Sequence, residues 1–158
     1  MLIEPTYTPR QYWTTILCSS LIISLLSSVL YFVFYWFFYV QQSFIFSIIY
    51  LLPLLGSTLA LVFFKHKFVW KEFSYFNAFL MSFSIGFISA ILFSSILFIS
   101  YSFVLETRID LFKDIDNDII QRLMSPMAIS LSMFVINIIL SLIYSLIFAI
   151  FAKRKIKE

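Results

Sequence analysis

The chain alternates between long stretches without an ionisable residue and short polar breaks. No Asp, Glu, Lys, Arg or His lies between Arg10 and Lys65. A helix rises about 1.5 Å per residue, so about 20 residues cross a hydrocarbon core about 30 Å thick. The stretch is too long for one crossing and suits two, with Gln41-Gln42-Ser43 as the natural break. It predicts a first helix near Trp13–Phe38 and a second near Phe44–Phe64. A charged segment from Lys65 to Glu72 follows, and then an uncharged run from Phe73 to Leu105 that predicts a third helix near Ala78–Phe103. The fourth helix is predicted over Pro126–Ala152. A proline in the first turn loses no internal hydrogen bond, and Ser125 before it suits the N-cap.

Two features modify this pattern. Pro53 and Gly56 inside the second run predict a kink, because proline removes a helix donor that neighbours must replace in lipid. The polar segment 106–124 reads as a short amphipathic helix on the outer surface. Asp110, Asp114, Asn117, Asp118 and Gln121 share one face at helical spacing. Ile109, Phe112, Ile115, Ile119, Ile120 and Leu123 share the other. Within it, Asp114-Ile115-Asp116-Asn117-Asp118 begins like a calcium loop. The loop pattern then needs Gly and Glu where Ile119 and Ser125 stand, which leaves only a looser cation site as an alternative. The first run exceeds the apolar region of about 7–15 residues in a signal peptide and ends without a small-residue cleavage site, so it is expected to be retained.

Composition points to the solvent. Of 158 residues, 62% are hydrophobic and 12% charged, and mean hydropathy is +1.01. Soluble domains carry about 45–50% apolar and about 25% charged residues. The fold class expected is therefore all-α: a single transmembrane domain over 1–158, an integral membrane four-helix bundle embedded in a lipid bilayer. The net charge of +3 does not indicate nucleic acid, because the basic residues flank hydrophobic runs and form no binding face. The single cysteine, Cys18, is expected to pack as a small apolar residue.

Charge also orients the chain. With four crossings, one side holds Arg10, Lys65, Lys67, Lys71, Lys153, Arg154, Lys155 and Lys157 against Glu4, Glu72 and Glu158. The other holds Arg108, Lys113 and Arg122 against five acidic residues. Basic residues in short loops stay cytosolic. Both ends of the chain are thus expected in the cytosol, with the segment 106–124 outside.

Inside lipid, helices associate through close packing and interhelical hydrogen bonds, so small residues mark the contact faces. The third helix carries Ala78, Ser82, Gly86, Ala90 and Ser94, each four apart. The fourth carries Asn137, Ser141, Ser145 and Ala149. The first has Ser20, Ser24 and Ser28, and the second Gly56 and Ala60. These fourteen positions are the candidate site residues. A packing seam is the preferred reading, and a hydroxyl-lined groove for a ligand is the alternative.

The spans contain no ionisable residue. Proton relays and ion paths in lipid need such groups. His66 stands alone between Lys65 and Lys67 as part of a flanking charge cluster. No phosphate loop, Ser/His/Asp set or metal-ligand spacing is present. No catalytic, metal or cofactor residues are therefore expected.

The second half of the chain is similar to an uncharacterised family of short four-span bacterial inner-membrane proteins, a domain of unknown function. The matching features are Phe76–Gly86 opening the third helix, an acidic outer segment, and Ser125-Pro126 opening the fourth. The run from Ser141 through Tyr144 to Ala149, leading into Lys153-Arg154-Lys155, completes the match. The outer segment is shorter here than is usual in that family. The resemblance implies a bacterial inner (cytoplasmic) membrane and supplies no activity. The function expected is a non-enzymatic accessory or structural component of an inner-membrane assembly, partnered by its own copies or other membrane proteins. A small transporter or lipid-handling protein for an apolar or lipid-linked substrate is the alternative.

Overall fold

The computed structural model describes residues 7–38, 43–69, 73–112 and 125–152, with side chains described over 7–34, 49–69, 73–103 and 125–152. Among these residues lie four helices: α1 Pro9–Phe38, α2 Ser43–Phe68, α3 Tyr75–Phe112 and α4 Pro126–Ala152. Each contains a segment long and apolar enough to cross a membrane: Pro9–Phe34, Ile49–Phe68, Tyr75–Phe103 and Pro126–Ala152. The protein is all-α and multi-pass, since helices satisfy their own backbone where no water can.

The helix starts follow local hydrogen bonding. Thr8 and Gln11 form a reciprocal capping box: Thr8 N donates to Gln11 Oε1 at 2.9 Å, and Gln11 N to Thr8 Oγ1 at 3.3 Å. With Pro9 in the first helical position, α1 begins four residues before Trp13. Ser74 caps α3, its Oγ accepting from Asn77 N at 3.2 Å. Ser125 caps α4 in the same way, accepting from Ala128 N at 3.2 Å. α1 and α4 end at Phe38 and Ala152, as predicted, whereas α2 and α3 run further than hydropathy predicts. α2 continues through Pro53 and the basic turn Lys65-His66-Lys67 to Phe68. Cations suit a helix C-terminus, where the carbonyls carry partial negative charge. α3 continues unbroken past Phe103 to Phe112, into the segment predicted as a separate surface helix. Charge marks where hydrocarbon ends, but it does not by itself stop a helix, and 104–112 contains neither Gly nor Pro to break one. The remainder of the predicted outer helix, 113–124, lies outside the described residues, as does the proposed cation run Asp114–Asp118.

The arrangement centres on α2 and α3. These two pack together, and each also packs on both α1 and α4, which scarcely touch one another. The closest association is between α3 and α4. The radial distribution is that of a membrane bundle. In α1, Ile16, Ser20, Ile23, Ser24, Ser27 and Tyr31 are buried, while Leu17, Leu21, Leu25 and Val29 face outwards. In α4, the buried set is Ser130, Asn137, Ser141, Ser145, Ala149 and Ala152, and the exposed set is bulky aliphatic residues such as Leu131, Val135 and Ile139. In α4 small and polar side chains lie inside and large apolar ones face outwards, whereas α1 mixes serines with bulky residues on its inner face. Cys18 also faces outwards rather than packing inside.

Two apolar clusters brace the interior. One surrounds Phe64 near the start of α1 and α3, with Ile16, Leu61, Phe73, Met81 and Ile85. The other joins Tyr31, Ile49, Phe93 and Leu97 further along.

Candidate functional site: the serine-lined interior

Most of the candidate residues form two seams on the faces of α3. On the α4 side the register is antiparallel. A Cβ placed on Gly86 would sit 2.5 Å from Ser141 Cβ, so only glycine allows this approach. One helical turn away, Ser145 Oγ lies 3.2 Å from Ser82 Oγ. Ala78 and Ala149 lie in one cluster, each fully buried. Ala90 and Asn137 line one small cavity. Each step of four along α3 therefore meets a step of four back along α4. The stripes Ala78–Ala90 and Asn137–Ala149 face one another. Ser94 is buried at the far end, where the seam opens into a lateral groove.

On the α1 side the register is parallel, with partners 65 residues apart. Tyr12 Oη donates to the Asn77 carbonyl at 3.3 Å, and Ser20 Oγ lies 3.2 Å from the Ile85 carbonyl. Ser24 and Ser89 line the same cavity. Ser28 is buried one turn further along α1. On α2, Ala60 is buried, and Gly56 is half-buried against Ile23 of α1.

The hydroxyls mostly return to their own helices. Ser28 donates to the Ser24 carbonyl at 2.8 Å, Ser89 to that of Gly86 at 2.9 Å, and Ser145 to that of Ser141 at 2.6 Å. Ser20 shares its one hydrogen between Ile16 O at 2.7 Å and Ile85 O across the seam. Asn137 does likewise, its Nδ2 donating to Met133 O at 2.8 Å. Serine is thus used here chiefly for its small volume. The cross-helix bonds that do form are worth about 0.6 kcal/mol each in membrane proteins.

A polar cluster closes the end of the bundle where α1 begins. Asn77 Nδ2 donates to Tyr7 Oη at 3.0 Å, and Tyr7 packs edge-on against Phe64 and Phe73. Burial pushes the Tyr7 phenol up, against the smaller opposing pull of the Asn77 hydrogen bond. Farther along, Tyr31 and Tyr101 hydroxyls bond between α1 and α3.

Among the described residues, a small cavity lies between all four helices. A lateral groove of about 360 Å³ lies between α3 and α4, lined by Ser94, Ser95, Phe98, Met127, Ser130 and Phe134 among others. Among the described residues, no group of three or more His, Cys, Asp or Glu could hold a metal.

Stripe-reading missed Ser27, Ser57, Ser89 and Ser130, all buried. Ser130 was findable, lying two turns before Asn137 on one face. Ser89 belongs to a second buried row on α3, Met81, Ile85, Ser89, Phe93 and Leu97, again four apart. A search for small residues passes over that row because bulky side chains dominate it.

No family model, curated protein sequence or solved structure matches the chain.

Proposed function

We propose that this protein is a non-enzymatic component of a bacterial inner-membrane assembly, with both ends of the chain in the cytosol. The closed α3–α4 contact carries this reading: Gly86 against Ser141 leaves no passage there, and Ser89 and Ser145 spend their hydroxyl hydrogens on their own helices. Apart from Arg10 and the Lys65-His66-Lys67 turn at their ends, the spans hold no Asp, Glu, Lys, Arg or His that could relay protons or coordinate ions. α1 and α4 lie on opposite sides of the α2–α3 pair, and each offers a long aliphatic face to a neighbouring helix. The inner membrane and the bacterial setting rest on the sequence resemblance described above.

The orientation rests on the charge asymmetry. Reporter fusions after Glu158 and within 65–72 should be active only as cytosolic reporters, and a fusion near Asp116 only as an external one. Ends reporting from opposite faces would remove this topology.

The second reading, handling of an apolar or lipid-linked molecule, is favoured by one observation, the lateral α3–α4 groove with three serines at its wall. One experiment separates the two. The chain is extracted from native membranes in mild detergent, and both protein partners and bound lipid are identified. The first reading expects a stoichiometric partner or a homo-oligomer. A clean monomer carrying one tightly bound lipid would transfer the assignment to the second.

A further inference from the structure

All four helices meet at a small internal cavity midway along the bundle, with room for about one water, 10 Å³ of space for its centre. Ser24 and Ser27 line it from α1, Pro53 from α2, Ser89 from α3 and Asn137 from α4. Its wall carries unmet hydrogen-bonding capacity. Ser27 is 2% exposed, and its hydroxyl has no partner among the described residues. Ser24 donates to Leu21 O at 3.0 Å and Ser89 to Gly86 O at 2.9 Å, which leaves the lone pairs of both oxygens as acceptors. Asn137 gives one amide hydrogen to Met133 O and keeps a second, together with its carbonyl oxygen. Ile49, four residues before Pro53, also borders the cavity, and Pro53 has no N–H to offer its carbonyl.

In hydrocarbon, none of these groups can turn to bulk water, and an unmet polar group there is costly. A molecule that both donates and accepts, with two to four polar neighbours, fits such a site. We propose that the cavity is a single-water site that ties the four helices together, with Ser27 and Asn137 as its principal partners. A dehydrated cation fits poorly, because every lining residue is neutral and the spans supply no carboxylate. The inference goes beyond the assembly reading and does not depend on it.

The sign of one substitution tests the proposal. If the Ser27 hydroxyl holds a water, Ser27→Ala breaks a satisfied network and lowers the unfolding midpoint of the full chain in nanodiscs by about 2–4 °C. If the hydroxyl is a buried orphan, removing it leaves the midpoint unchanged or raises it, which overturns the proposal. Ser28→Ala is the control. Ser28 bonds only its own helix at 2.8 Å and does not line the cavity, so its loss should leave the midpoint unchanged. A drop equal to that of Ser27→Ala would make the effect a general one and also overturn the proposal. Exchanging sodium chloride for choline chloride should not move the midpoint; a sodium-specific rise would replace the water with an ion. Independently, a high-resolution experimental map of the unaltered chain should show one solvent peak bonded to Ser27 Oγ and Asn137. A cavity without a peak in such a map would reject the water.

Discussion

Gly86→Ala is expected to destabilise the bundle by about 1–3 kcal/mol, the usual range for forcing an extra carbon into a packed interior. The new Cβ would meet Ser141 Cβ at 2.5 Å, with Ser141 Cα only 3.6 Å away. Ser141 has almost no side chain to swing aside, so relief requires α3 and α4 to separate along their most extensive contact. Reversible unfolding in mixed micelles measures the loss. Two comparisons give it meaning. Gly56→Ala brings its Cβ against Ile23 Cγ1 and 2.6 Å from Cδ1, both atoms of a longer side chain that can rotate about χ1, so its cost should be smaller. Combining Gly86→Ala with Ser141→Gly exchanges the two volumes and should recover most of the loss, whereas Ser141→Ala keeps the obstructing Cβ and should not. Equal costs at both glycines, or no recovery in the exchange, would mean that the seam is not tight where the geometry places it.

Phe64→Ala carries the other large effect. Phe64 is fully buried, with ring centroids 5.1 Å from Tyr7, 5.9 Å from Tyr12, 5.3 Å from Phe68 and 6.1 Å from Phe73. It therefore holds α2 against α1, the start of α3 and the residues preceding α1. In a soluble core such a truncation costs about 3–5 kcal/mol, part of it from transfer out of water. A bundle in lipid retains mainly the lost dispersion contacts and the cavity, which places the expected cost at about 3 kcal/mol. Phe63 is the adjacent control. It is 55% exposed, so Phe63→Ala should change stability little in the same unfolding measurement. Similar costs at the two positions would show that Phe64 does not anchor this end.

The stripes illustrate how far sequence reading reaches in lipid. Asn137, Ser141, Ser145 and Ala149 could be recognised as an inward face because each is small or polar among Leu, Ile and Phe, and all four are buried. The row Met81, Ile85, Phe93 and Leu97 is as deeply buried, yet it resembles the lipid-facing residues in chemistry. A soluble helix distinguishes its two faces by polarity. A helix in hydrocarbon is apolar all round, so bulky inward positions carry no mark. The capping box at Thr8 and Gln11 is a different case: its Thr-x-x-Gln spacing stands in the sequence, just outside the hydrophobic run from which the helix limits were read.

The amino-acid sequence alone determined that the chain has four long apolar spans, their approximate limits and the small-residue face of each. Hydrocarbon excludes charge and obliges the backbone to close its own hydrogen bonds, and both constraints can be read one residue at a time. Only the tertiary structure decided that α3 carries two seams, that Gly86 meets Ser141, and that α1 and α4 stay apart. It also decided that most serine hydroxyls turn back to their own helices, while those of Ser27, Ser94 and Ser141 find no partner among the described residues, Ser27 beside a cavity lined by all four helices. Those outcomes depend on shape matching between helices, and neither hydropathy nor charge specifies which surfaces fit.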